Sequence, residues 1–127
     1  MKNKSCLFII GLPGSGKTFL GKKLSKERKA LFIDDPKTFS NVESDIVVAD
    51  PSFCNPEIRE KAKKIVESNG FTVEFLFFEN DPVQCRKNVE LRVSMGDFRK
   101  VDNAITVLTK IYVIPEKVNV IPVYKEN

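Results

Sequence analysis

The stretch that decides the fold lies near the start of the chain and reads GLPGSGKT, residues 11–18. A mostly apolar run at residues 5–10 precedes it, which is typical of a strand buried on both faces of a parallel sheet. Helix-forming residues follow at 18–29. The octapeptide matches G-x-x-x-x-G-K-[ST], and a position between a strand and a helix is the context in which this pattern forms a phosphate-binding P-loop.

Each residue type in this loop has a chemical task. Glycines let several backbone N–H groups face one anion, and the next helix directs its N-terminal dipole at the same point. Lys17 can reach the β- and γ-phosphates of a nucleoside triphosphate such as ATP, and the Thr18 hydroxyl can ligate Mg²⁺. The alternative is a glycine-rich turn with an incidental Lys-Thr pair. The predicted nucleotide-binding residues are Gly11, Leu12, Pro13, Gly14, Ser15, Gly16, Lys17, Thr18 and Phe19.

Strand and helix patterns alternate along the rest of the chain. Further strands are predicted at residues 31–33, 46–49, 72–78 and 118–124. Helices are predicted to begin at two Asn/Asp-Pro pairs, residues 55–56 and 81–82, and to end near residues 69 and 95; another is predicted at 101–113. This order predicts an α/β fold of three layers with a mostly parallel five-stranded sheet, in a single domain over residues 1–127.

Composition narrows the possible chemistry. The chain has no His, so a proton acceptor must be a carboxylate, a Cys or a Lys. Its three cysteines lack CxxC spacing and are expected to be buried free thiols in a reducing compartment. No apolar stretch approaches the length of a signal-peptide core or a membrane span, so we expect a cytoplasmic protein without a membrane partner.

The net charge of +4 is unevenly distributed. Residues 1–33 carry eight Lys and Arg against one acid, whereas residues 34–55 carry five acids and one base. A basic segment around the loop, followed by an acidic one, suits an anionic ligand held with a metal cation. The alternative is that the lysines of the first helix only solvate its outer face.

Acidic residues follow two of the predicted strands. Asp50 ends the run at 46–49, where an acid can support Mg²⁺ through water, or can simply form a turn. Asp34 and Asp35 close the second strand. A carboxylate there could accept the proton of an attacking hydroxyl, or it could cap a turn before Pro36.

The helix predicted after residue 82 is rich in basic residues. Asn88 and Arg92 are four positions apart and share a face, while Arg86 and Glu90 have the spacing of a surface ion pair. An arginine arriving from a lid would stabilise a transferring phosphoryl group. The alternative is a solvated basic helix.

Four segments in this order, GLPGSGKT, FIDDPK, VVADPSFCNPEIR and CRKNVELR, resemble the kinase domain of phage-type polynucleotide 5′-kinases. The broader group includes zeta-toxin-like and small-metabolite P-loop kinases. The resemblance covers about residues 5–115 and implies an adenylate-kinase-like core, ATP and Mg²⁺ as cofactors, and the 5′-hydroxyl of a nucleic acid as acceptor. If the chain is encoded by a phage, it implies the host cytoplasm as location.

The resemblance also implies roles for individual residues. Lys17, Arg86 and Arg92 would surround the transferring phosphate, and Asp34, or Asp35, would be the general base. Thr18 and Asp50 would hold the metal. Lys37 and Arg59 would bind the substrate.

Two departures from that family keep other functions open. Lys37, or Thr38 if Asp35 is the base, stands where the family has an arginine that holds the acceptor's phosphate, and lysine lacks its bidentate fork. Only about ten residues separate Asp35 from the third strand, where the family has a longer helical insertion. A kinase of nucleosides or small metabolites, and an ATP-binding regulatory module without catalysis, are therefore the alternatives.

Overall fold

A computed structural model describes residues 4–34, 44–92 and 95–125. The strands are β1 (Lys4–Ile10), β2 (Leu31–Asp34), β3 (Ile46–Ala49), β4 (Phe71–Phe78) and β5 (Val120–Ile121). The helices are α1 (Lys17–Arg28), α2 (Pro56–Ser68), α3 (Pro82–Glu90) and α4 (Met95–Ile111), with a short 3₁₀ helix at Pro51–Cys54.

The five strands form one sheet in the order β2-β3-β1-β4-β5, and every neighbouring pair is parallel. In the central strand, Ile9 lies opposite Ala49 of β3 on one side and Leu76 of β4 on the other. The carboxyl ends of these three strands therefore meet at one edge of the sheet. In open parallel sheets this edge is where ligands bind.

Two apolar cores cover the two faces of the sheet. On one face Phe8 and Ile10 pack with the buried sides of α2, α3 and α4. On the other face Leu7 and Ile9 pack with α1, through Leu20 and Leu24. The alternation along β1 reflects the period of two in a strand. The predicted three-layer α/β fold is confirmed.

The helix starts predicted at the two Asn/Asp-Pro pairs are also confirmed. Asn55 caps α2 by accepting the Glu57 amide at 2.9 Å. Asp81 caps α3 by accepting the Gln84 amide at 3.1 Å. Side-chain oxygens at the N-cap satisfy amides that have no partner within the helix.

Three predicted boundaries are wrong. Helix α3 ends at Glu90 rather than near residue 95, and α4 begins at Met95 rather than near residue 101. Because the apolar stripe of α4 becomes regular only from residue 101, the sequence pattern did not predict the start of this helix. Strand β5 has two residues instead of seven, and Pro122, which lacks an amide hydrogen, follows it.

The three cysteines are buried and free, as predicted. Burial raises the pKa of Cys6 and of Cys85 to about 12, and that of Cys54 to about 11. Within the described residues, no helix combines the length and the apolar character needed to cross a membrane.

Candidate functional site

The loop between β1 and α1 has a backbone that its glycines make possible. Gly14 and Gly16 have φ angles of 86° and 106°, in the left-handed region that favours glycine. A Cβ atom on Gly14 would lie 2.6 Å from the carbonyl oxygen of Cys85 in α3, and one on Gly16 would lie 3.0 Å from the Cβ of Tyr124. The loop is therefore both turned and tightly enclosed by two distant parts of the chain.

The N-terminus of α1 is arranged to receive an anion. Its N-cap is Gly16, which has no side chain to accept the free amides, and the first turn contains no acid. The first bond of the helix runs from the Leu20 amide to the Gly16 carbonyl at 3.0 Å. The preceding amides of the turn, together with the helix dipole, favour a negatively charged ligand.

Two side chains of the loop are buried donors. Lys17 is 8% exposed, and its Nζ donates to the Leu12 carbonyl across the loop at 2.8 Å. The Ser15 hydroxyl is fully buried and has no hydrogen-bond partner within the part of the chain that the structure describes. A phosphate oxygen is a charged acceptor and binds an ammonium more strongly than a neutral carbonyl does.

A pocket of about 70 Å³ opens at this helix terminus. It is lined by Gly14, Gly16, Lys17, Thr18, Phe19 and Arg92. The structure thus brings one of the two predicted lid arginines to the phosphate-binding loop. The Arg92 guanidinium also lies 6.0 Å from the centre of the Tyr124 ring, within range of a cation–π interaction.

An adjoining pocket of about 160 Å³ is mainly apolar. It is lined by Gly16, Phe19, Leu20, Phe78, Ile121, Pro122 and Tyr124. The rings of Phe19 and Tyr124 lie 5.9 Å apart at an interplanar angle of 31°. The position of the C-terminal segment at the site could not be predicted, because this segment contains no recognisable motif.

Asp50 follows β3 directly, next to the strand that leads into the loop. One carboxylate oxygen accepts the Ser52 amide at 2.8 Å, so Asp50 caps the 3₁₀ helix. The turn-forming role is therefore observed, and the metal role stays a prediction.

The residues at this edge fit Mg²⁺ by the chemistry of their donors. The Thr18 hydroxyl and the Asp50 carboxylate offer oxygen, which Mg²⁺ prefers. Across the three described ranges, no three His, Cys, Asp or Glu side chains are grouped to hold a metal. Mg²⁺ in phosphate-transferring sites is usually held by one or two protein oxygens together with substrate phosphates, so this sparse set suits it.

Arg86 is held away from the phosphate pocket. Its Nε lies 2.6 Å from an oxygen of Asp102, and another nitrogen donates to the Thr106 hydroxyl at 2.8 Å. The predicted surface pair with Glu90 is wrong, because α4 offers Arg86 a carboxylate in tertiary contact. In this conformation Arg86 ties α3 to α4, and its catalytic role stays a prediction.

Helix α3 is not the solvated basic helix that the sequence left open. Cys85, Asn88 and Val89 are buried on its inner face, against the loop. Arg59 of α2, predicted to bind substrate, is also buried. It donates to the carbonyls of Phe53 at 2.9 Å, Cys54 at 3.3 Å and Val113 at 3.1 Å.

The environment of Arg59 is that of a structural arginine. Its guanidinium lies 4.9 Å from the centre of the Phe77 ring, and burial lowers its pKa. Its bonds tie the 3₁₀ helix to the chain that follows α4. Substrate binding by Arg59 stays a prediction, and the geometry favours the structural role.

The predicted general base lies at the limit of the described residues. Asp34 is the last residue of β2 and lies opposite Ala49 of β3, so its backbone is at the same sheet edge as the loop. Asp35 and Lys37 lie outside the described residues. Their roles stay predictions.

Comparisons with known proteins agree with this geometry. No protein-family model matches the chain. An uncharacterized protein of Acanthamoeba polyphaga mimivirus is 28% identical over 102 residues, which cover 71% of this chain and 74% of that protein.

Solved structures show the fold. The crystal structure of a gluconokinase from Sinorhizobium meliloti 1021 superposes with a TM-score of 0.63 at 14% identity, covering 96% of this chain and 83% of the gluconokinase. The crystal structure of APE1195 gives a TM-score of 0.51 at 17% identity, with 96% and 86% covered. The chain therefore shares its three-layer α/β fold with these two structures.

Proposed function

We propose that this protein is an ATP-dependent kinase that transfers the γ-phosphoryl group to a hydroxyl. The observation that carries the proposal is the phosphate-sized pocket in which the loop glycines, Lys17, Thr18 and Arg92 meet at the N-terminus of α1. A loop that only formed a turn would not need a buried lysine and an arginine from a distant part of the chain at the same point.

The residues that line the pocket suggest how the negative charge of the phosphates is stabilised. On binding of the triphosphate, Lys17 Nζ exchanges its bond to the Leu12 carbonyl for bonds to β- and γ-phosphate oxygens. Arg92 reaches the same phosphates from the turn after α3 and stabilises the charge that spreads over the transferring group. Mg²⁺ held by Thr18 and Asp50 would neutralise further phosphate charge. Asp34 or Asp35 would accept the proton of the attacking hydroxyl.

The apolar pocket beside the loop is proposed to take the nucleoside part of ATP. It shares Gly16 and Phe19 with the phosphate pocket, so one ligand can occupy both. The ring of Tyr124, with the Arg92 guanidinium over it, offers a surface on which a base can stack.

The proposed acceptor is the 5′-hydroxyl of a polynucleotide, which rests on the four matched sequence segments. A small-metabolite acceptor is the second candidate. Two observations favour it: the similar fold of a protein that is by name a gluconokinase, and the short segment between Asp35 and β3. A non-catalytic ATP-binding module would use the same pocket without an acceptor.

Transfer of labelled γ-phosphate from Mg·ATP tests the proposal. The acceptors are 5′-hydroxyl DNA and RNA oligonucleotides, nucleosides and sugar acids including gluconate. Lys17→Ala should abolish transfer, and Lys22→Ala is the matched control because it removes the same charge from the exposed side of α1. Asp34→Asn and Asp35→Asn identify the base.

The pattern of labelling decides between the candidates. Label on oligonucleotides supports the polynucleotide acceptor, whereas label confined to a small acceptor assigns the second candidate. Binding of ATP without label on any acceptor would indicate the regulatory module. A wild-type protein that neither binds nor hydrolyses ATP refutes the proposal.

A further inference from the structure

A fully buried side-chain amide links the phosphate-binding loop to two distant parts of the chain. Asn88 in α3 is 0% exposed, and its Nδ2 donates to the Gly14 carbonyl at 2.9 Å and also to the Tyr124 carbonyl. Its Oδ1 accepts a bond of 3.0 Å from Gln84 Nε2, one turn earlier in the helix. The two backbone carbonyls can only accept hydrogen bonds, so they fix which way the amide faces; exchanging its oxygen and nitrogen would break all three contacts.

The backbone of Tyr124 completes the arrangement. Its amide donates to the Ser15 carbonyl at 3.1 Å, and its Cβ lies against Gly16. In a planar trans peptide the C=O and the following N–H point in opposite directions. Holding the Ser15 carbonyl towards Tyr124 therefore turns the Gly16 N–H away from Tyr124.

We propose that Asn88 is a positioning residue that holds the phosphate-binding loop in its ligand-ready shape. It binds no phosphate itself. It fixes the Gly14 carbonyl directly, and it fixes the Ser15 carbonyl through the backbone of Tyr124. This inference rests on the proposed nucleotide binding and goes beyond it, because it places the control of phosphate affinity in α3 and the C-terminal segment.

The energetic reason is that the donor is fully buried and its two bonds are partly buried. Without the Asn88 donor, the carbonyls of Gly14 and Tyr124 lose their shared partner. Partly buried carbonyls without partners are costly, so the loop is expected to open until water reaches them. Because phosphate binding must then close the loop again, the apparent affinity for phosphate falls.

The test measures binding of Mg·ATP and of magnesium tripolyphosphate by titration calorimetry. Tripolyphosphate isolates the loop, because it has no nucleoside. Asn88→Asp keeps the size of the side chain and replaces the donor by an acceptor, while Gln84→Ala removes only the bond that Asn88 Oδ1 accepts. Val66→Ala is the control, since it creates a cavity in the core beneath α2 at a fully buried position away from the loop.

We expect Asn88→Asp to weaken both ligands by about tenfold or more, and Gln84→Ala to weaken them by about threefold. Val66→Ala should lower the melting temperature and leave both affinities of the folded protein unchanged. In amide NMR spectra of the ligand-free protein, Gly14 and Gly16 should shift in the Asn88 variant and not in the Val66 variant. These results together support a positioning role.

Affinities that match wild type in the folded Asn88→Asp protein would overturn the inference and leave the proposed function intact. If Asn88→Asp does not fold, Gln84→Ala decides, and unchanged affinity together with unchanged loop signals overturns it. Wild-type protein that binds neither ligand refutes the proposed function itself, and this inference with it.

Discussion

Replacing Gly14 by alanine tests how tightly α3 encloses the phosphate-binding loop. The new methyl would lie 2.6 Å from the Cys85 carbonyl oxygen and 2.7 Å from a methyl of Val89. It would also force alanine into a φ of 86°. Both the contact and the backbone conformation are therefore unfavourable at this one position.

The two costs can be separated, because Gly70 has a similar φ angle and no close contact at its Cβ position. Its φ is 89°, and a Cβ there meets nothing within 4 Å. Gly70→Ala should cost about 1–2 kcal/mol of unfolding free energy from the left-handed conformation alone. Gly14→Ala adds an overpacking cost of about 1–3 kcal/mol, for a total of about 2–5 kcal/mol.

Guanidinium denaturation followed by far-UV circular dichroism measures both variants, since the chain has no Trp for fluorescence. Nucleotide titration is the second readout: Gly14→Ala should weaken ATP binding, and Gly70→Ala should not. Equal losses of stability in the two variants would refute the reasoning, because they would mean that α3 withdraws from the loop at no cost.

Two further predictions concern stability away from the ligand. Lys29 ends α1 with a φ of 56°, in the left-handed region that favours glycine. Lys29→Gly should therefore raise the unfolding free energy by about 1 kcal/mol, while Lys26→Gly inside the same helix should lower it by a similar amount. A loss of stability at both positions in denaturation curves would contradict the assigned cap. The three buried thiols have pKa values raised by burial from 9.0 to about 11 or 12, so their stabilisation is complete below pH 9 and is lost as pH rises through the folded values. Melting temperatures should be level up to about pH 9 and fall above it, more steeply in wild type than in Cys6→Ala; equal slopes in the two proteins would contradict the assignment.

Patterns that are local in the chain predicted most of the fold. The apolar run of β1, the glycine loop and α1 are contiguous, so their periodicity and spacing define both the elements and the phosphate site. The caps at Asn55 and Asp81 are local in the same sense, because a side chain and an amide two or three residues later decide them.

Contacts between distant segments were not predictable in the same way. The spacing of Arg86 and Glu90 indicated an ion pair, and the packing of α3 on α4 instead supplied Asp102. Arg59 fitted a family pattern for substrate binding, and the fold surrounds it with three backbone carbonyls. A charged residue in a sequence shows what it can bind, whereas its partner depends on which elements pack together.

The C-terminal segment illustrates the consequence for function. Tyr124 bonds to the loop through its amide, accepts the amide of Asn88, and places its ring against Phe19. A ligand that binds only the closed loop therefore also requires the C-terminal segment in this position. Binding of such a ligand must in turn stabilise the segment, because the two equilibria are linked. The octapeptide that decides the fold is thus one of three parts of the proposed nucleotide site. The other two parts are held to it by hydrogen bonds to backbone carbonyls, which no sequence motif predicts.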